Sequence, residues 1–246
     1  MPNKIMVITA HPADLVERAG GTVVKHINRG DEVFFVSLTT GAVTHAFNVF
    51  PEMGDDKLKD LQKVKDMKKA ELDRACKILG VQKWTMLDFP ENPMFFTMEE
   101  YKVVIKMMRE FKPDTVLCPH PTEFGRHDHM DSGRADGSPS PLAPHAVKNV
   151  FMFYYQDFRS DQLMGTTRKA PEITIDITDV IDRKMNALDE FATTQTRKGQ
   201  DRSKTMKLFR ERVDGGIGYL NGFAGGAGYG EQFNRLNPER YGLLPI

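Results

Sequence analysis

The chain has 246 residues, with 34 lysines and arginines balanced by 34 aspartates and glutamates. That length suits one α/β domain with a sizeable core, read as residues 1–246. The even charge offers no basic excess for nucleic acid, and no run of about 18 apolar residues offers a membrane span, so neither partner is expected.

In chain order, Met1-Pro2-Asn3-Lys4 lacks the apolar core of a signal peptide, which predicts a cytoplasmic protein. Ile5–Ala10 is a short apolar run, as expected of a strand covered on both faces. A helix is predicted over Val16–Asn28 and a strand over Glu32–Leu38, followed by a loop over 39–57. Leu58, Leu61, Val64, Met67, Leu72, Ala75 and Leu79 recur at helical spacing, predicting an amphipathic helix lying on a sheet. Trp84–Leu87 reads as a strand, Met98–Phe111 as a helix and Asp114–Cys118 as a strand.

The second half is less regular. Asn149–Tyr155 and Glu172–Ile177 read as strands, and Thr178 as the N-cap of a helix from Asp179 to about Gln195. Gly215–Gly230 is rich in glycine, which disfavours a packed helix. It is expected to be a flexible tail, with approach to a neighbouring subunit's site as the alternative. Cys76 and Cys118 stand far apart in apolar stretches, so buried free thiols are expected.

Alternating strands and helices predict a Rossmann-like, three-layer α/β fold with a mostly parallel sheet. Such sheets bind ligands at the carboxyl ends of their strands. The first strand ends in His11-Pro12-Ala13-Asp14, and the fourth runs into Arg126-His127-Asp128-His129. Imidazole and carboxylate suit zinc, and a catalytic zinc takes three protein ligands with one position open. His11, Asp14 and His129 therefore form a candidate metal site, with Asp128 able to orient an imidazole. Taken alone, His11-x-x-Asp14 is the common pattern of a capped helix start, and its placement with the His127-Asp128-His129 cluster at strand ends is what raises the metal reading.

These motifs resemble a known family. Ala10-His11-Pro12-Ala13-Asp14, followed by Ala19-Gly20-Gly21-Thr22, is similar to the first metal motif of the LmbE-like (PIG-L) zinc deacetylases. Glu71, Ala75 and Leu79-Gly80 resemble the family's next helix. Asp128-His129 resembles its second metal motif, and Tyr229-Gly230-Glu231-Gln232-Phe233 a segment near its C-terminus. The resemblance implies the LmbE-like fold, a homo-oligomer, and Zn2+ (or another divalent metal) on His11, Asp14 and His129. It also exposes two departures. Where the deacetylases carry an aspartate base this chain has Ala13, and where they carry a carbonyl-polarising histidine it has Arg126.

Alanine cannot move a proton, whereas arginine presents a charged fork suited to a carboxylate. Together with Arg18-Ala19-Gly20-Gly21, these changes resemble the 4-oxalomesaconate hydratase branch. That resemblance implies a lyase acting on a small-molecule carboxylate, with Arg126 binding it. Proton chemistry is assigned to His45 or His127, with Glu123 a further candidate. His45 reads equally as a solvated loop residue, and the acidic residue which that branch carries in the same loop is missing here. Lys68, where deacetylases often have an arginine, is a candidate substrate-binding residue or a solvated lysine. Gln156 and Asp157 could line the cleft or form a surface turn. An amide deacetylase with a replaced base and a non-catalytic metal-binding homologue are the competing readings.

Overall fold

In the computed structural model the described residues are 2–44, 61–91, 97–120, 147–153, 171–195 and 228–236. His45, Glu123, Arg126, His127, Asp128, His129, Gln156 and Asp157 lie outside them. The elements are β1 (Lys4–Thr9), α1 (Asp14–Arg29), β2 (Glu32–Ser37), α2 (Leu61–Leu79), β3 (Lys83–Met86), α3 (Met98–Phe111), β4 (Thr115–Pro119) and β5 (Asn149–Phe153). After them come β6 (Ile173–Asp176), a 3-10 turn (Thr178–Val180), α4 (Ile181–Leu188), the short α5 (Ala192–Gln195) and β7 (Gly230–Arg235).

Seven strands form one sheet in the order β3-β2-β1-β4-β5-β7-β6. β1, β2, β3, β4 and β5 run parallel, and β7 is antiparallel to both β5 and β6. The order reverses at β1: the chain builds outward through β2 and β3, then returns to place β4 on β1's other side. Such a switch point opens a crevice beyond the carboxyl ends of the two central strands. The segments after β1 and β4 are those that carry the two metal motifs.

Period-2 alternation sends successive strand residues to opposite layers. Ile5, Val7, Val33 and Phe35 pack beneath α1, α2 and α4, beside Leu72, Ala75, Leu79 and Leu188. Met6, Ile8, Phe34 and Val36 face the other way, with Val104, Met108 and Phe111 of α3. The fold is thus a three-layer, mostly parallel α/β sandwich of the Rossmann-like kind. Cys76 and Cys118 are buried free thiols in opposite layers, so the sheet itself separates them.

Most element boundaries fall within a few residues of expectation, and three expectations need correction. The helix predicted over 179–195 is divided. A 3-10 turn precedes α4, α4 ends at Leu188, and Phe191 is buried in the core before α5 begins. Thr178 does not cap it. Its hydroxyl accepts from the Tyr229 N–H at 2.9 Å, binding the segment to the start of β7. Of the glycine-rich stretch 215–230 only the end, 228–230, is described, and that end is not loose: the Tyr229 N–H is bonded to Thr178 and Gly230 opens β7, a strand inside the sheet. The rest of β7, Glu231-Gln232-Phe233-Asn234-Arg235, is poor in strand formers, and pairing on both edges stabilises it instead.

Gly21 has a packing reason. A Cβ on Gly21 would stand 2.7 Å from Ile177, so only hydrogen lets α1 approach β6's exit this closely. Gly30 ends α1 in the left-handed region at φ 94°. Its N–H and that of Asp31 return to the Ile27 and His26 carbonyls, a Schellman-type stop.

Candidate metal centre

The β1–α1 turn is built from local bonds. Thr9 Oγ1 donates to the His11 carbonyl at 2.8 Å, and the His11 backbone N–H donates to Asp14 Oδ2 at 2.7 Å. Val16 and Glu17 N–H groups donate to the Ala13 carbonyl, starting α1 with Asp14 in its first turn. A carboxylate there interacts favourably with the helix dipole. The loop after β2 closes against this turn, with the Thr39 N–H and Oγ1 both donating to the Ala10 carbonyl.

His11 and Asp14 are 3% and 7% exposed, and His11 Nδ1 lies 3.6 Å from Asp14 Oδ2. That separation is too long for a hydrogen bond. It is close to the spacing of about 3.3–3.5 Å between two donors of a tetrahedral ion with 2.0–2.1 Å bonds. The pair therefore fits two ligands of one zinc-like cation. Among the described residues no third histidine, cysteine or carboxylate joins them to complete a metal cluster. His129 falls outside those residues.

A set of buried charges stands beside the turn. Lys68, on α2, is 1% exposed, and its ammonium interacts electrostatically with Glu71, Glu91 and Asp14. Burial pulls it down to about 8, against the opposing pull of those three carboxylates. The solvated alternative for Lys68 is therefore wrong: its helical face turns inward to the candidate centre. Burial likewise pushes the Glu71 carboxyl up, while bonds from Thr193 and the charge of Lys68 work against that rise. The Thr193 N–H and Oγ1 both donate to Glu71, at 2.8 and 2.5 Å.

Two carboxylates were not anticipated. Glu91, beyond β3, accepts from Thr40 Oγ1, the Ala42 N–H and both the N–H and Oγ1 of Thr44, at 3.0–3.1 Å. Four donors on one carboxylate hold it in place as a strut. It supplies a carboxylate to a loop whose own residues, Gly41 to Thr44, have none. No local signal marked it, since the loop it braces lies about 50 residues earlier in the chain. Glu231 is the other. It was visible in the sequence only within the Tyr229–Phe233 resemblance, and it reaches α1.

Ala13 lies between Pro12 and Asp14 and is 3% exposed, its methyl joined to the α1-side core. It can contribute no acid–base chemistry. Beside Asp14 stands Lys68, with Glu71 next to it, both displaced by burial toward their neutral forms.

Comparison with known proteins places this arrangement. The chain is 28% identical over 202 residues to the diacetylchitobiose deacetylase of Thermococcus kodakarensis, covering 75% of this chain and 67% of that protein. Its fold matches the 4-carboxy-2-hydroxymuconate hydratase GalB of Pseudomonas putida KT2440 with a TM-score of 0.72, at 21% identity. That match covers 99% of this chain and 100% of GalB. It also matches the N,N'-diacetylchitobiose deacetylase of Pyrococcus horikoshii with a TM-score of 0.73, at 22% identity over 95% of this chain and 84% of that one. At such identities the structural matches establish fold alone, and the fold is common to two chemistries. The sequence model of the family described as PIG-L, GlcNAc-PI de-N-acetylase, matches residues 6–135, just over half of the chain and the whole stretch from β1 through both metal motifs. On that match the chain belongs to the PIG-L (LmbE-like) family, whose relatives named here are deacetylases and a hydratase.

Proposed function

We propose that this PIG-L family member is a zinc-dependent lyase that adds water across a carbon–carbon double bond of a small unsaturated keto acid bearing several carboxylates. The observation that carries this reading is Ala13, a buried methyl at the position where the family's deacetylases hold their base. Amide hydrolysis must take a proton from water and return one to the departing amine, and losing a positioned base costs about 10²–10⁴ in rate. His11, Asp14 and His129 would hold the metal, which supplies Lewis-acid polarisation of a substrate oxygen when bound.

This chain's residues then divide the work. Arg126 holds a substrate carboxylate through its planar fork, and Lys68 adds a second positive charge next to Asp14. Asp128 orients an imidazole. In hydration, one proton leaves water as its oxygen bonds to one alkene carbon, and one proton is delivered to the neighbouring carbon. His45 and His127 are the groups assigned to those transfers.

A second reading has its own support. The diacetylchitobiose deacetylase relative is the more similar in sequence, which favours amide hydrolysis with another group replacing the base. The two readings separate in one assay on metal-loaded protein. The lyase reading expects loss of the ultraviolet absorbance of a 4-oxalomesaconate-type conjugated keto acid, abolished by chelation, with no acetate from N-acetylated sugars. Acetate release from such sugars, without turnover of the keto acid, would overturn it in favour of the deacetylase.

A further inference from the structure

One buried ion pair stands apart from the candidate centre and takes no part in the proposed chemistry. Glu231 of β7 and Lys184 of α4 are each 2% exposed, and Lys184 Nζ donates to Glu231 Oε1 at 2.7 Å. Neither charge meets only the other. Glu231 Oε1 accepts from the Gly21 N–H at 2.9 Å, and Oε2 from the Thr22 N–H at 2.8 Å. Lys184 Nζ also donates to the Glu17 carbonyl at 3.0 Å.

The helical ladder explains why this is unusual. In a regular α-helix the Gly21 N–H points to the Glu17 carbonyl, four residues earlier. Here the carboxylate engages that N–H and the ammonium engages that carbonyl, so the pair inserts into α1's own hydrogen bonding. Gly20 lies alongside it: a Cβ there would meet the Lys184 side chain at 3.5 Å, an ordinary packing distance. A buried ion pair is a poor choice for stability alone, since apolar replacements of similar size often do as well or better. Its contacts are specific instead: both ends grip backbone, and Glu17 belongs to the same helical turn as Asp14.

We infer that the Lys184–Glu231 pair is an internal clasp that fixes the axial position of α1's first turn, and so positions Asp14 against His11 at the metal centre. The metal part of this inference rests on the zinc reading above. Metal–ligand bonds tolerate departures of only about 0.2 Å, so a small slide of α1 is felt at Asp14. Lys184 and Glu231 are positioning residues, touching neither metal nor substrate.

The test is a Co2+ titration of chelator-stripped full-length protein, followed by visible absorbance, together with amide hydrogen exchange of the metal-free protein. Glu231→Gln alone leaves a buried ammonium without its counter-charge, which is strongly destabilising, so the decisive variant is the charge-free double substitution K184M/E231Q. It is expected to fold, to bind Co2+ about tenfold more weakly with an altered spectrum, and to exchange faster at residues 14–22. Met108→Ala, in the opposite layer, supplies a destabilised control that is expected to keep wild-type Co2+ affinity. Wild-type affinity and unchanged exchange in the folded double variant would overturn the clasp, as would equal loss of affinity in the control. If wild-type protein binds no Co2+, the zinc reading fails by itself, and the exchange of residues 14–22 still decides whether the clasp exists.

Discussion

The two ends of the central sheet use charge in opposite ways. At the amino end, charged groups tie loops together through carboxylates whose basic partners reach solvent: the Asp31 side chain is 3% exposed, but Arg29 beside it is 57% exposed. Asp31 accepts from the Asn3 N–H, from Arg29 Nε and at 2.7 Å from His26 Nδ1, joining the exit of α1 to the entry of β1. Asp114 accepts from the Lys4 N–H at 3.0 Å and from Lys148 Nζ at 2.6 Å, joining the starts of β1, β4 and β5. At the carboxyl end Lys68, Glu71, His11 and Asp14 are buried. Burying charge is costly, and the cost is visible in Lys68 and Glu71, both displaced toward their neutral forms. Asp31 moves the other way: burial raises it, but bonds from His26, Asn3 and Arg29 prevail and hold its carboxyl below the usual range. Charge at the amino end stabilises the fold. Charge at the carboxyl end is kept at the fold's expense, as expected where chemistry is done.

That contrast breaks most sharply at Lys68. Lys68→Met is expected to lower turnover by about 10²-fold or more, as for loss of a preorganised charge. The same change should not lower the melting temperature of the metal-free protein at pH 7, because a penalised ammonium is removed. A variant that keeps full turnover but melts much earlier would make Lys68 a structural residue and erase the contrast.

At the other end the expected signs reverse. Asp31→Asn should cost about 0.5–2 kcal/mol at pH 7, the worth of the bonds weakened, read by urea denaturation. The pH dependence follows from linkage. The folded-state value of Asp31 lies below 3.8, so the unfolded chain binds the proton more readily. The carboxylate's contribution is therefore present above about pH 3.8 and fades as pH falls through the lower, folded value. The gap between wild type and variant should close over that acidic window, and a gap that persisted below it would place the effect in packing instead.

The smallest effect marks the baseline. Lys102 and Glu99 pair at 2.7 Å one turn apart on α3, 62% and 79% exposed at their side chains. Lys102→Ala should change stability by less than about 0.5 kcal/mol, and by less still in high salt. A larger loss would mean that exposed pairs matter here as much as the loop-tying ones at the amino end.

How much was legible in advance follows from how local each signal is. Strand runs, the helical repeat of α2 and the bounds of α3 depend on neighbours within one or two turns, and they were readable as periodicity. The pairing of His11 with Asp14 was readable because they are three residues apart and meet through a turn they build themselves. Lys68 was half legible: its place on the helix could be read, but not the burial of its ammonium. That depends on α2 settling with this face toward Asp14 and Glu91. The division of the 179–195 helix was illegible, because Thr178 is taken by Tyr229, 51 residues away.

The sequence by itself determined the layer order of the first half, the two free thiols and the motifs that place this chain in the PIG-L family. Each depends on residue type, spacing or alternation along a short stretch. Tertiary structure alone decided that Gly230–Arg235 enters the sheet as β7 between β5 and β6, that Glu91 braces a distant loop, and that Glu231 reaches across 210 residues to the backbone of α1. The physical reason is common to all three. A hydrogen-bonding group chooses its partner by proximity in the folded chain, and a carboxylate's sequence neighbours carry no record of which buried N–H it will meet.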